Sequence, residues 1–260
     1  MTGVESAGLT AAAAAAGVVN AVAGGGTLIT FPALLAYGTA SVVANATSTL
    51  ALVIGTAGSV YGYRRQITLV TPWLRRFAPV SLVGGLLGSM LLTRTREEVF
   101  AHMVPFLLLF ATLLFLAQGA FRRFAGMNGD PAGSSSPRRH AVGLAVLFQF
   151  FVALYGGYFG AGIGILMLAS LGYLGLQDIH EMNGLKTVLG SLINLVAALY
   201  FIGAGLIDWP RAGVMTCGAL AGYFLGARYA QRIPQPAVRH IITAVGFIIS
   251  GVLFYHQFRH

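Results

Sequence analysis

Charge is scarce in this chain. Of its 260 residues 9% are charged and 57% are hydrophobic, whereas a soluble domain carries roughly 25% charge. That shortage excludes an ordinary soluble globular protein. Cysteine is nearly absent. Cys217, inside an apolar run, stands alone, so no disulfide and no cysteine metal site can be built within the chain, and it reads as a small buried core residue. Lysine also occurs once, as Lys186. No H-E-x-x-H, no phosphate-binding glycine loop and no nucleophile–base arrangement is present. Nothing therefore suggests an enzyme, and neither a metal nor an organic cofactor is expected. Asp178, His180 and Glu181 cluster, but their spacing fits loop charges or carboxylates at a helix N-terminus better than a metal site. The N-terminus lacks a basic segment, its first charge being Glu5. The alanines at 11–16 accordingly read as the start of a membrane segment, not as part of a signal peptide.

What the chain has instead is long apolar runs. Stretches such as 44–61, 77–92 and 103–121 suit helices that cross a hydrocarbon core. The expected class is an all-α polytopic membrane protein, surrounded by lipid. The net charge is +9, and arginines sit in pairs between apolar runs: Arg64 and Arg65, Arg75 and Arg76, Arg122 and Arg123, Arg138 and Arg139. This is the positive-inside pattern of cytoplasmic loops. Basic and aromatic residues do not interleave on a soluble face, so no nucleic-acid partner is expected.

Residues 10–38 form one apolar stretch, split at Gly24, Gly25 and Gly26 and holding Pro32. Residues 43–63, 77–93 and 100–121 read as full spans. The basic segment 122–140 contains G-D-P-A-G-S-S-S-P and reads as a flexible cytoplasmic linker. Beyond it, 141–176 repeats the split pattern around Gly160, Gly162 and Gly164, and 183–203, 212–230 and 240–258 are spans. An offset of 138 lays one half on the other without a gap. It pairs Gly24 with Gly162, Asn45 with Asn183, Thr49 with Thr187, Pro72 with Pro210, and Gly84 and Gly88 with Gly222 and Gly226. The chain is read as two repeats, 1–121 and 141–260.

The basic loops change places between the halves. Residues 64–76 carry four arginines, while their partner around Asp208 is neutral. Residues 94–98 are neutral, while their partner region carries Arg228, Arg232 and Arg239. By the positive-inside rule the second repeat is upside down. An inverted repeat needs an odd number of crossings per half. Three spans plus one re-entrant split segment supply it, each split arm of about 11 to 14 residues reaching the midplane. Kinked full spans would instead give a parallel repeat and put 228–239 outside, against the charge rule.

Glycine runs inside an apolar segment break a helix. Irregular backbone at membrane depth survives only where protein buries it or where it lines a wet cavity, and paired breaks at matched positions point to a transporter's binding site. A half-helix that begins at a break presents unpaired N–H groups and a partial positive charge, which suits an anion. The candidate substrate site comprises Gly24, Gly25, Gly26 and Thr27 at the first break and Tyr158, Gly162 and Gly164 at the second. Asn45, Thr47 and Ser48 of N-A-T-S-T join them, with Asn183, Lys186 and Thr187 of N-G-L-K-T and Asn194 two turns on. The asparagines could equally cap helices. Lys186 could neutralise an anion or snorkel to the surface.

These residues resemble the sulfite exporter TauE/SafE family of membrane transporters. The resemblance runs from G-G-G-T-L-I-T-F-P-A-L-L at 24–35 through N-A-T-S-T at 45–49. It continues in Y-G-G-Y-F-G-A-G-I-G-I-L-M at 155–167 and M-N-G-L-K at 182–186. It implies a multi-pass transporter of the bacterial inner membrane that exports sulfite or an organosulfonate, driven by an ion gradient, with H+ and Na+ both open as the coupling ion and room for a homodimer. Leu185 and Lys186 stand where a T-S pair would match Thr47 and Ser48. The alternatives are an uncoupled anion channel and a transporter of another small anion.

Overall fold

The computed structural model describes the backbone of residues 1–22, 25–62, 68–124, 139–173, 176, 179–229 and 235–259. Gly24, Arg64, Arg65, Asp178, Arg232 and most of the linker lie outside the described residues. The first half contributes α1 (Gly3–Val22), α2 (Thr27–Ala36), α3 (Ser41–Gly62), α4 (Thr71–Arg94) and α5 (Glu97–Phe124). The second contributes α6 (Arg139–Tyr158), α7 (Ile163–Tyr173), α8 (Ile179–Gly203), α9 (Trp209–Tyr229) and α10 (Gln235–Arg259).

On α4 and α9 large apolar side chains cover the outward face, and glycine, alanine and serine make up much of the inward one. On α4, Leu82, Val83, Leu86 and Leu87 are exposed while Ser81, Gly84, Gly85, Gly88 and Ser89 are buried. On α9, Leu220, Phe224 and Leu225 are exposed while Ala219, Gly222 and Gly226 are buried. In water each exposed leucine or phenylalanine would forfeit about 1.5–3 kcal/mol of burial. Against lipid tails it forfeits little, and small residues on the inner face let backbones approach. By length and composition, Thr71–Arg94, Glu97–Ala117 and Glu181–Gly203 are long and apolar enough to cross a membrane. The chain is a polytopic all-α membrane protein. Cys217 is exposed with the outward surface instead of being buried in the core.

Helix boundaries differ from the apolar pattern where local hydrogen bonds extend the helix. Thr2 Oγ1 accepts the Glu5 N–H at 3.2 Å, and the Glu5 carboxylate accepts the Thr2 N–H at 3.4 Å. This reciprocal capping box starts α1 well before Thr10. α1 has 20 residues and α2 has 10, or about 30 Å and 15 Å at the α-helical rise. The split segment therefore has one long arm and one short arm, not two of 11 to 14 residues. α6 and α7, with 20 and 11 residues, repeat the inequality. Asn45 and Asn183 each lie one turn inside a helix and cap neither α3 nor α8. The N–H groups of Ser41 and Val42 at the start of α3 donate instead to the carboxylate of Glu97, at 3.0 Å for Val42.

The first helix of each half packs on the fourth helix of the other. α1 lies along α9 and α6 along α4, and both pairs run parallel. Gly218, Gly222 and Gly226 meet Thr10, Ala14 and Val18 in turn, while Gly84 meets Phe150 and Ala153 and Gly88 meets Leu154 and Tyr158. α3 against α9 mirrors α8 against α4, and α3–α8 and α5–α10 pair across the centre. At one end of the bundle Arg211, in the first turn of α9, donates to Glu5 of α1 at 2.8 Å, to Asp208 at 3.0 Å and to the Tyr37 carbonyl after α2 at 3.1 Å. α2 thus runs back along α1, and this hairpin starts and finishes at one end. The α6–α7 hairpin finishes among Val70, Leu176 and Met182, in the apolar cluster that also holds Ala145 of α6.

A Cβ at Gly88 would lie 2.0 Å from the Leu154 carbonyl oxygen, and one at Gly222 would lie 2.0 Å from that of Ala14, whereas one at Gly213 meets nothing within 4 Å. Gly88→Ala and Gly222→Ala should each destabilise the purified protein by about 1–3 kcal/mol. Gly213→Ala should be neutral or gain up to about 1 kcal/mol. Thermal melts in detergent, read by loss of monodisperse elution, check both.

Candidate functional site at the two helix breaks

Each hairpin turns at glycines held in backbone conformations that other residues rarely adopt: φ is +100° at Gly25 and +81° at Gly162. Gly25 faces the Phe115 ring, and Gly162 faces Ala111 and Leu114. Both breaks therefore abut the same turn of α5, which lies near the middle of that helix.

The first break is braced by Asn20. Its Oδ1 accepts the Gly26 N–H at 2.6 Å, and its Nδ2 donates to the Tyr223 hydroxyl of α9 at 2.9 Å. The Leu28 N–H returns to the Gly25 carbonyl, and those of Ile29 and Thr30 return to the Gly26 carbonyl. At the N-terminus of α2 only the Thr27 N–H is left without a partner among the described residues. Most of the donors expected to be open at this helix end are satisfied by the chain itself.

The second break is braced differently. The Phe159 and Gly160 N–H groups both turn back to the Tyr155 carbonyl, at 2.9 and 3.1 Å. The Tyr155 hydroxyl donates across the break to the Ala161 carbonyl at 2.9 Å. Asn45 of α3 donates from Nδ2 to the Tyr158 carbonyl at 3.1 Å. The Ile165 N–H reaches the Gly162 carbonyl, which leaves those of Ile163 and Gly164 open among the described residues. From α8, the Lys186 stem lies over the start of α7, so that a Cβ at Gly164 would be 3.2 Å from Lys186 Cδ. Asn194 Oδ1 lies 3.8 Å from the corresponding point at Gly160.

The structure thus gathers Gly25, Gly26, Thr27, Gly162, Gly164, Lys186, Asn194 and Asn45 around the two breaks. It turns Thr47 and the Tyr158 hydroxyl elsewhere, and ties Ser48 to the first break through Thr30, whose Oγ1 also donates to the Gly26 carbonyl at 3.2 Å. Thr47 Oγ1 accepts the Asp208 N–H at 3.1 Å, Ser48 Oγ pairs with Thr30 Oγ1 at 2.6 Å, and the Tyr158 hydroxyl donates toward Thr95 and Met103. Asn183 and Thr187 are half-buried on α8. Sequence reasoning does not single out Asn20. Its signal is a polar side chain in the last turn of an otherwise apolar helix, just ahead of a glycine run. Among the described residues no group of three or more His, Cys, Asp or Glu could hold a metal ion.

Residues 9–253 match the sulfite exporter TauE/SafE family. The chain belongs to that family. It is similar to the "Probable membrane transporter protein" of Haemophilus influenzae, 29% identical over 250 residues that cover 93% of this chain and 91% of the relative. The "Probable membrane transporter protein YfcA" of Escherichia coli K12 is 28% identical over 247 residues, covering 92% and 86%. The "Probable membrane transporter protein ORF9" of Sinorhizobium sp. is 26% identical over 243 residues, covering 92% and 88%. No solved structure matches. As a TauE/SafE member the chain is a multi-pass protein of the bacterial inner membrane, and its family is one of transporters, not enzymes.

Asn20→Ala in this TauE/SafE protein would strip the Gly26 N–H of its acceptor in a part-buried setting, at a cost of about 1–3 kcal/mol. Asn20→Asp keeps the acceptor oxygen and should lose less. Melting temperatures of the two variants check the order.

Proposed function

We propose that this TauE/SafE protein is a secondary transporter, acting as an exporter, of a small oxyanion such as sulfite or an organosulfonate. The anion binds in the middle of the bundle, between the N-termini of α2 and α7, with Lys186 supplying positive charge. The observation that carries the reading is the meeting of both breaks on one turn of α5, with the Lys186 stem against Gly164. A helix N-terminus carries roughly half a positive charge, and its attraction for an anion is strong where the surroundings are apolar. The open N–H groups of Thr27, Ile163 and Gly164 are neutral donors. They hold an oxyanion more weakly than cationic donors would, which suits a ligand that must be released. The family's description supports such a solute, and the relatives' names support membrane transport.

The same reading takes 1–121 and 141–260 as inverted repeats joined by a cytoplasmic linker at 122–140. Its support is the hairpin geometry. α1–α2 opens and closes at the end that holds Arg211, whereas α6–α7 opens and closes among the residues near the starts of α4 and α8. Each half then makes three crossings and one hairpin, and alternating access follows if the halves exchange equivalent conformations about a fixed site.

Sulfite flux into proteoliposomes tests the substrate reading, and counterflow separates a carrier from a channel. Lys186→Met should weaken sulfite by tenfold or more, about 1.4 kcal/mol. Lys186→Arg should rescue poorly, since a bulkier guanidinium must fit against Gly164. Wild-type affinity in Lys186→Met protein would remove Lys186 from the site. For topology, an impermeant maleimide applied from the periplasm to a Cys217→Ser background should label Arg96→Cys, but neither Arg65→Cys nor Arg232→Cys. Labelling of Arg232→Cys but not Arg65→Cys would contradict the inversion.

A further inference from the structure

We infer that the second break also holds a sodium ion, at the C-terminal end of α6, with the side-chain oxygen of Asn45 as one of its ligands. The inference rests on the transporter reading only for the ion's purpose; the site itself is argued from geometry.

Asn45 is 1% exposed. Its Nδ2 donates to the Tyr158 carbonyl, which fixes the plane of the amide and makes Oδ1 the acceptor. That Oδ1 is buried and has no hydrogen-bond partner. A buried amide oxygen left unpaired costs about 1–3 kcal/mol, so something should meet it when the protein works. Among the described residues the other buried oxygens without partners are the Gln257 amide oxygen, on a half-buried residue in the last turn of α10, and the hydroxyls of Thr39, Ser191, Thr243 and Ser250, which can rotate toward a neighbour. The Asn45 amide cannot.

Its surroundings are acceptors too. The Phe159 and Gly160 N–H groups both return to the Tyr155 carbonyl, so no described N–H reaches the carbonyls of Gly156 and Gly157. A helix C-terminus bears a partial negative charge and unpaired carbonyls. Amide geometry and the 3.1 Å bond keep Asn45 Oδ1 within about 5 Å of the Tyr158 carbonyl oxygen. A cation with oxygen ligands at about 2.4 Å can bridge that span. An oxyanion would be repelled by this set, whereas a cation is attracted. Amide and carbonyl oxygens do not titrate, so a proton finds no carrier in them. Neutral ligands without a carboxylate favour a monovalent ion over a divalent one. The break would then present carbonyls to a cation on its α6 side and N–H groups to an anion on its α7 side, and binding of each would favour the other reciprocally.

The test uses the purified full-length protein in detergent, with no sulfite present, so that a failed anion site leaves it readable. Equilibrium binding of 22Na+ and melting temperature are measured in NaCl, KCl and choline chloride at equal ionic strength. The wild type should bind 22Na+ saturably and melt highest in NaCl. Asn45→Leu, if it elutes as a monodisperse species, should weaken sodium binding by at least about tenfold. Asn45→Asp keeps an oxygen in place and adds a titratable charge. It should bind sodium, with affinity that falls as pH is lowered through the carboxyl's titration. The inference is overturned if the wild type responds to NaCl no differently from choline chloride, as it would if only water meets Oδ1. It is also overturned if Asn45→Leu binds sodium like the wild type. If Asn45→Leu does not fold, Asn45→Asp decides, and a sodium affinity equal to the wild type's and independent of pH sinks the proposal.

Discussion

Every backbone donor and acceptor inside a bilayer must find its partner within the protein, because lipid offers none. Breaking two helices in the middle of the bundle therefore frees groups that are expensive to leave open, several kcal/mol each in an apolar medium. Much of the site can be understood as the response. Asn20 takes the Gly26 N–H, Tyr155 reaches the Ala161 carbonyl, and Asn45 reaches the Tyr158 carbonyl. Among the described residues at the breaks, the groups left without partners are then conspicuous: the N–H groups of Thr27, Ile163 and Gly164, the carbonyls of Gly156 and Gly157, and the amide oxygen of Asn45. Donors remain on one side of the second break and acceptors on the other, which is why the proposed anion and cation sit on different sides of one loop.

Close packing makes the breaks tolerable. The long arms α1 and α6 are held by glycine faces on α9 and α4, each from the opposite half. Neither half can open its hairpin without disturbing the other, since the arm of one is clamped by a span of its partner. Charge is kept to the ends, as at Arg211 with Glu5 and Asp208, and at Glu97 on the first turn of α3. Lys186 is the exception, a lysine whose stem lies against a break. Its charge and the two helix N-termini are what the proposed anion site offers.

Much of this was legible in the residues. The 138-residue offset that aligns the glycine runs also aligns the helices: α3 at Ser41 answers α8 at Ile179, and α4 at Thr71 answers α9 at Trp209. Hydrophobic runs and glycine spacing are local signals, and they located the breaks. What depended on distant partners was not legible. The cap on α3 comes from Glu97, more than fifty residues away. The unequal arms follow from a capping box at Thr2 and Glu5, ahead of the apolar run. Asn45 carries donors and an acceptor alike, and only the Tyr158 carbonyl beside it shows which of them remains open.

In the proposed transporter both breaks serve one central anion site. Selenite has the shape and charge of sulfite, and its selenium scatters anomalously. Diffraction from crystals soaked in selenite should therefore show an anomalous peak within hydrogen-bonding distance of the Ile163 and Gly164 N–H groups and beside the Lys186 ammonium, facing the Ala111–Phe115 turn of α5. A peak only at the Arg211 end of the bundle, or no peak at a selenite concentration that blocks sulfite flux, would contradict it.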